Sequence, residues 1–168
     1  IGLVHQGLGI LSVLRIERQP DAAGDKQLLP LQLERIAQLP VQLVGHLRGR
    51  QMAVRVAANE VSYLENVRWA ESLDDALTQM LRARLASAGA GRVVAVQVAR
   101  CELVRAEGNS VQLAATWTVT SRDGTVQHGS FTASPRTWDG RDYGALVGQI
   151  RDAVNELGDA LASALGGK

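Results

Sequence analysis

Little in this chain can react. Its 168 residues hold one cysteine, Cys101, which excludes an intramolecular disulfide and any multi-cysteine metal site. Alone, Cys101 reads as a small buried strand residue. Aromatic residues make up only 4%, so the core must be aliphatic, and the few Trp and Phe positions mark special packing spots. Neither sign of charge dominates: 18 basic against 17 acidic residues give a net charge of +1, which argues against a nucleic-acid partner, since that needs a clustered positive field. No run approaches the ~20 apolar residues of a membrane helix. The apolar segment from Gly7 to Leu14 is short and reads as the start of a first strand. His5, His46 and His128 have no metal-ligand spacing and read as surface or loop residues. Gly7-Leu8-Gly9 lacks the third glycine and following helix of a phosphate loop, and no serine stands in a nucleophile elbow. No metal or cofactor is implied.

What is present is pattern. Ser12 to Arg18 and Leu31 to Leu39 read as strands, the second closed by Pro40. Between them, residues 19–30 carry Pro20, Asp21, Gly24, Asp25 and Pro30, a flexible connection rather than a boundary. One domain over 1–168 is expected, with residues 1–10 loosely ordered. Val41 to Leu47 reads as a short helix or turn, and Gln51 to Ala57 with Val61 to Glu65 as a hairpin across Ala58-Asn59-Glu60.

The most informative block is Asn66-Val67-Arg68-Trp69-Ala70-Glu71-Ser72-Leu73, which runs into a helix. Trp69 sits at a strand-to-helix junction. Ser72 is the N-cap, with Asp75 as a capping-box-like partner. Leu73, Ala76, Leu77, Met80, Leu81, Leu85 and Ala88 repeat at three and four, and Gly89 supplies the stop. Glu71, Asp74 and Asp75 favour the helix dipole.

From Arg92 to Arg105 the apolar phase switches near Val98. A β-bulge there would turn both halves inward; the alternative is a strand buried on both faces along part of its length. Asp123-Gly124 marks a hairpin. A two-residue loop at Asp123-Gly124 would pair Trp117 with Ser130 and send Phe131 to the opposite face; the preferred three-residue loop, Arg122-Asp123-Gly124, pairs Ser121 with Thr125. It sets Leu113, Ala115, Trp117 and Val119 on one face with Phe131 and Ala133, and Thr116, Thr118 and Thr120 on the other. A last helix starts near Asp142, with the stripe Leu146, Ile150, Val154, Leu157, Leu161 and Leu165. The expected fold is α+β: a two-layer sandwich, an antiparallel-rich mixed sheet with two main helices packed on one face.

Candidate contact residues are few. Arg48 and Arg50 flank Gly49 in a loop, either a solvated basic turn or a contact to a partner or lipid headgroups. Trp138, just before the last helix, is either packed over the helix start or an exposed anchor. Trp69 and Ser72 are structural junction residues.

The ordered set Leu39-Pro40, Leu47-Arg48-Gly49-Arg50-Gln51-Met52, Arg68-Trp69-Ala70-Glu71-Ser72-Leu73, the Asp-Gly hairpin with Trp117 and Phe131, and Asp142-Tyr143-Gly144-Ala145-Leu146-Val147 resembles a known family. It is similar to the paraquat-inducible protein C (PqiC) type of auxiliary lipoprotein of ABC-type transport systems, over roughly residues 11–165. One departure is Arg50-Gln51 where the family tends to have Arg-Pro. The resemblance implies a non-enzymatic subunit, periplasmic and lipid-anchored, at the outer membrane rather than the inner. It also implies homo-oligomerisation and docking to a mammalian-cell-entry (MCE) domain protein with its ABC permease and ATPase, a system moving lipids or other hydrophobic compounds. Because the chain begins at Ile1 rather than Met, the anchoring cysteine and any signal peptide are expected to precede it. The alternative function is a periplasmic small-ligand carrier, with an apolar pocket between helices and sheet.

Overall fold

Strand-forming runs of Val, Thr and Ala alternate with two leucine-striped helices, and the computed structural model joins them into two layers. It describes residues 39–88, 91–106 and 108–166. The expected strands at 12–18 and 31–39 lie outside these, Leu39 apart, as do the helix stop at Gly89 and the last two residues. In chain order the elements are β1 (Val41–Leu43), β2 (Gln51–Ala57), β3 (Glu60–Arg68), α1 (Leu73–Arg84), β4 (Val93–Val104), β5 (Ser110–Thr120), β6 (Val126–Thr132), β7 (Arg136–Thr137) and α2 (Tyr143–Gly166).

The sheet runs β3-β2-β4-β5-β6. β4 and β5 form its long antiparallel centre, from Val93↔Thr120 to Val104↔Ser110. β1 lies parallel to the first half of β4 (Val41↔Val96, Leu43↔Val98) and β2 parallel to its second half (Val54↔Leu103). β1 and β2 are therefore one interrupted strand along the same side of β4. Between them Val44–Arg50 leaves the sheet through a 3-10 turn at Gly45–Leu47. Here the structure departs from the sequence reading: Val41–Leu43 pairs as a strand, because Pro40 O and Val44 N bond Val96 and Val98 of β4.

The phase switch in β4 is a bulge, and past it the strand is also buried on both faces, over residues 101–104. Val98 opposes Ala115 and Arg100 opposes Ala114, so Ala99 is the extra residue. Val94, Val96 and Val98 before it, and Cys101 and Leu103 after it, all face the helices at 0–2% exposure. The Asp-Gly hairpin takes the three-residue loop: Thr120 pairs with Val126, Ser121 N donates to Thr125 O at 2.9 Å, and Gly124 adopts φ +84°. That backbone region is open to glycine at little steric cost. Trp117 lies flat over Gly129 of β6, where an added Cβ would sit 2.0 Å from the indole.

α1 buries Leu73, Leu77 and Leu81, with Leu85 just past its end. Ser72 holds the N-cap position in extended geometry, yet its hydroxyl makes no bond to a helix N–H. It donates to the Asp75 carboxylate. Aspartate is one methylene shorter than the usual capping-box partner, so it meets the hydroxyl rather than reaching the N-cap amide. α2 has a conventional cap: Asp142 Oδ1 accepts from Gly144 N and Ala145 N at 2.8 and 3.1 Å. Its stripe Leu146, Val154, Leu157 and Leu161 is 0–1% exposed. Each such leucine removed from water stabilises the fold by about 1.5–3 kcal/mol. Gly158 brings α2 close to α1; a Cβ there would meet Arg84 Cγ at 2.7 Å. Arg92 reaches the carbonyl of Leu165 and caps the C-terminal end of α2.

Candidate interaction surface

Among the described residues the helices cover one face of the sheet, and the groups of interest stand on the other. On that outer face stand Ala95, Gln97 and Arg100 of β4, Thr116 and Thr118 of β5, and His128, Ser130 and Thr132 of β6, mostly exposed. A shallow depression of about 170 Å³ lies there, lined by Pro40, Gln42, Ala95, Gln97, Thr116 and Thr118. Val96 and Trp117 complete its mixed polar and apolar walls, and Thr118 Oγ1 sits 3.1 Å from His128 Nδ1.

At the opposite end of this face is a feature that sequence reasoning missed. Glu102 is fully buried. Its Oε1 accepts from Arg55 Nε at 2.6 Å, and its Oε2 lies 2.9 Å from His46 Nε2. The bulge at Ala99 accounts for its position. With Cys101 and Leu103 turned to the helices, Glu102 and Val104 point outward, beside Arg55 of β2, which pairs with Val104. His46 comes from the 3-10 turn, so Val44–Arg50 folds over the outer face and covers the carboxylate. Tyr63 of β3 donates its hydroxyl to His46 O at 3.2 Å, and Arg48 Nε donates to Leu43 O at 3.1 Å. The basic loop is thus pinned from three sides. An ion pair this buried contributes little net stability, but losing one member leaves an uncompensated charge. No local signal in the sequence links residues 46, 55 and 102.

The other candidate residues fall apart in space. Arg48 and Arg50 are exposed at the end of the excursion. Trp69 is 8% exposed in the core, its backbone N–H donating to Arg50 O at 2.7 Å. Trp138 is buried over the start of α2. Its Nε1 donates to Asp142 O at 2.6 Å, and its ring lies 5.2 Å from that of Tyr143.

Two kinds of titratable group are perturbed among the described residues. Burial, and then the Glu102 carboxylate next to it, push the Cys101 thiol up to about 12, so it stays protonated and unreactive. Asp123 and Asp139 are held below the usual carboxylate range, chiefly by the backbone N–H groups of Thr125 and Arg141; both are turn-forming bonds at the surface. Among the described residues no three His, Cys, Asp or Glu side chains converge as metal ligands, and no helix is long and apolar enough to cross a membrane.

The class defined so far is a two-layer α+β domain whose distinctive groups lie on the sheet face away from the helices. The profile of the family described as the ABC-type transport auxiliary lipoprotein component matches residues 19–162, and the chain belongs to that family. Membership makes it a member of a lipoprotein family that serves ABC-type transport, with the envelope association this implies. Solved structures agree on the fold. A crystal structure described as an uncharacterized protein superposes with a TM-score of 0.68 at 16% identity, covering 82% of this chain and 95% of that one. A Xanthomonas campestris protein superposes with a TM-score of 0.65 at 17% identity, covering 76% and 81%. No curated protein matches the chain.

Proposed function

We propose that this domain works by docking: it is a non-enzymatic subunit, held by a lipid at the periplasmic side of the outer membrane, that joins an MCE-domain protein and its ABC permease and ATPase. The observation that carries the reading is the β6 edge. Ser121 N donates to Thr125 O, and Ala133 N donates to Leu113 O. The odd-numbered residues between them therefore turn their backbone groups toward β5. Val126, His128, Ser130 and Thr132 turn theirs outward. Among the described residues no strand pairs with that side. Natural edges are usually guarded by charge, proline or a bulge. β3, the opposite edge, has Glu60, Glu65, Arg68 and two register irregularities. β6 has no Asp, Glu, Lys or Arg, no proline and an unbroken register with β5. It suits addition of an extended strand from a partner subunit.

The test is affinity capture from detergent-solubilised envelope, wild type against Ser130→Pro. Proline removes an outward N–H and leaves the β5 side intact. The reading expects an MCE-type protein with the wild type and its loss with the variant. Wild-type capture that never recovers such a protein contradicts it. The carrier alternative has less support, because Leu77, Leu81, Leu85, Leu146, Leu157 and Leu161 fill the helix–sheet interface at 0–2% exposure. Lipid found by mass spectrometry in purified protein would favour it.

A further inference from the structure

The fold gathers three arginines that the sequence keeps apart. Arg48 and Arg50 end the excursion between β1 and β2, and Arg68 ends β3. The backbone ties them together: Gln51 pairs with Arg68, and Trp69 N bonds Arg50 O. Met52 and Val54 face the helices, so Gln51 and its partner Arg68 face outward, on the side where the excursion folds. All three arginines are exposed, and none forms an ion pair among the described residues. By contrast Arg55, Arg84, Arg136 and Arg151 each have a carboxylate partner. Tyr63, 40% exposed, stands beside the cluster with its hydroxyl on His46 O. The nearby acidic residues of β3 are Glu60 and Glu65, and neither pairs with an arginine among the described residues.

We infer that Arg48, Arg50 and Arg68 form a contact for the phosphate headgroups of an anionic membrane surface, beside the bilayer to which a lipoprotein is tethered. The chemistry fits. A guanidinium presents a planar fork that matches phosphate oxygens two at a time, and an exposed tyrosine suits the interfacial zone of a bilayer. The loop is also positioned in advance, because His46 on buried Glu102 and Arg48 on Leu43 O fix its path. A tether brings the bilayer within reach; this contact would set which face the domain turns toward it. The inference stands apart from strand addition at β6, since it needs only family membership and these three side chains.

The experiment is co-sedimentation of the full chain with vesicles of pure phosphatidylcholine or of phosphatidylcholine with phosphatidylglycerol, at two ionic strengths. Binding is expected only with phosphatidylglycerol, weakening as salt rises. A basic residue at such a surface is worth roughly a fivefold change in partitioning, so Arg48→Ala/Arg50→Ala/Arg68→Ala should lose about a hundredfold. The control triple Arg82→Ala/Arg105→Ala/Arg141→Ala has the same net charge and should bind nearly as the wild type. Both triples replace exposed side chains, and unchanged melting curves verify that they fold. Equal losses in the two triples would mean unspecific attraction and overturn the inference. So would binding indifferent to phosphatidylglycerol. Release by inorganic phosphate, beyond that of chloride at matched ionic strength, would reveal a discrete phosphate site and overturn the surface assignment too.

Discussion

Replacing Arg55 by methionine isolates what holds the basic loop in place. Glu102 has no exposed side-chain surface and Arg55 has 15%. The substitution removes the 2.6 Å bond to Oε1 and leaves the carboxylate with His46 alone, at 2.9 Å. Orphaning one member of a buried pair costs about 3–5 kcal/mol. In a domain of this size each kcal/mol lowers Tm by about 2–4 °C, so calorimetry should record a fall of about 6–20 °C. The double variant Arg55→Met/Glu102→Leu removes the charge along with its partner and should regain most of the loss, within about 1 kcal/mol of wild type. If Arg55→Met costs less than ~1 kcal/mol, the carboxylate is not desolvated as described, and the pinning of the loop fails with it.

Gly129→Ala sets a methyl group 2.0 Å from the Trp117 ring and should cost about 1–3 kcal/mol in urea unfolding, relieved by Trp117→Leu in the same chain. Leu161→Ala, at 0% exposure between the layers, should cost about 2–5 kcal/mol. Asp142→Ala removes the acceptor for two N–H groups of α2 and should cost about 1 kcal/mol. With its thiol pushed up to about 12 by burial, Cys101 should resist alkylation across pH 7–9 in the folded chain. Rapid labelling that accelerates as an ordinary thiol ionises would show that the site is open.

Where the sequence spoke clearly, a local period was at work. The phase change at Val98 foretold the bulge at Ala99, because only an extra residue can turn Val98 and Cys101 to the same side. Asp123-Gly124 foretold the three-residue loop, because a left-handed glycine closes it. The two leucine stripes foretold both helices. Where the sequence was silent, the cause was distance along the chain. Parallel pairing of β1 and β2 with β4 leaves no mark on Val41–Leu43, a segment too short to show a period. Glu102 looked like any outward residue of a strand, and its burial depends on a turn 56 residues earlier. Arg48 and Arg50 stood out as a basic loop, whereas Arg68 joins them only through the irregular register of β3. Trp138 could have packed or projected from sequence alone, and the bond from its Nε1 to Asp142 O ties it down over the helix start.

The claim that this domain acts by docking through the β6 edge, unpaired among the described residues, is tested most directly by photo-crosslinking in intact envelopes. A photoreactive residue would be placed at Ser130 on β6, and a second chain would carry it at Asn155 on the exposed side of α2. The account predicts a crosslink from position 130 to an MCE-type subunit and none from position 155. A crosslink from position 155 with silence at 130, or silence at both, would contradict it.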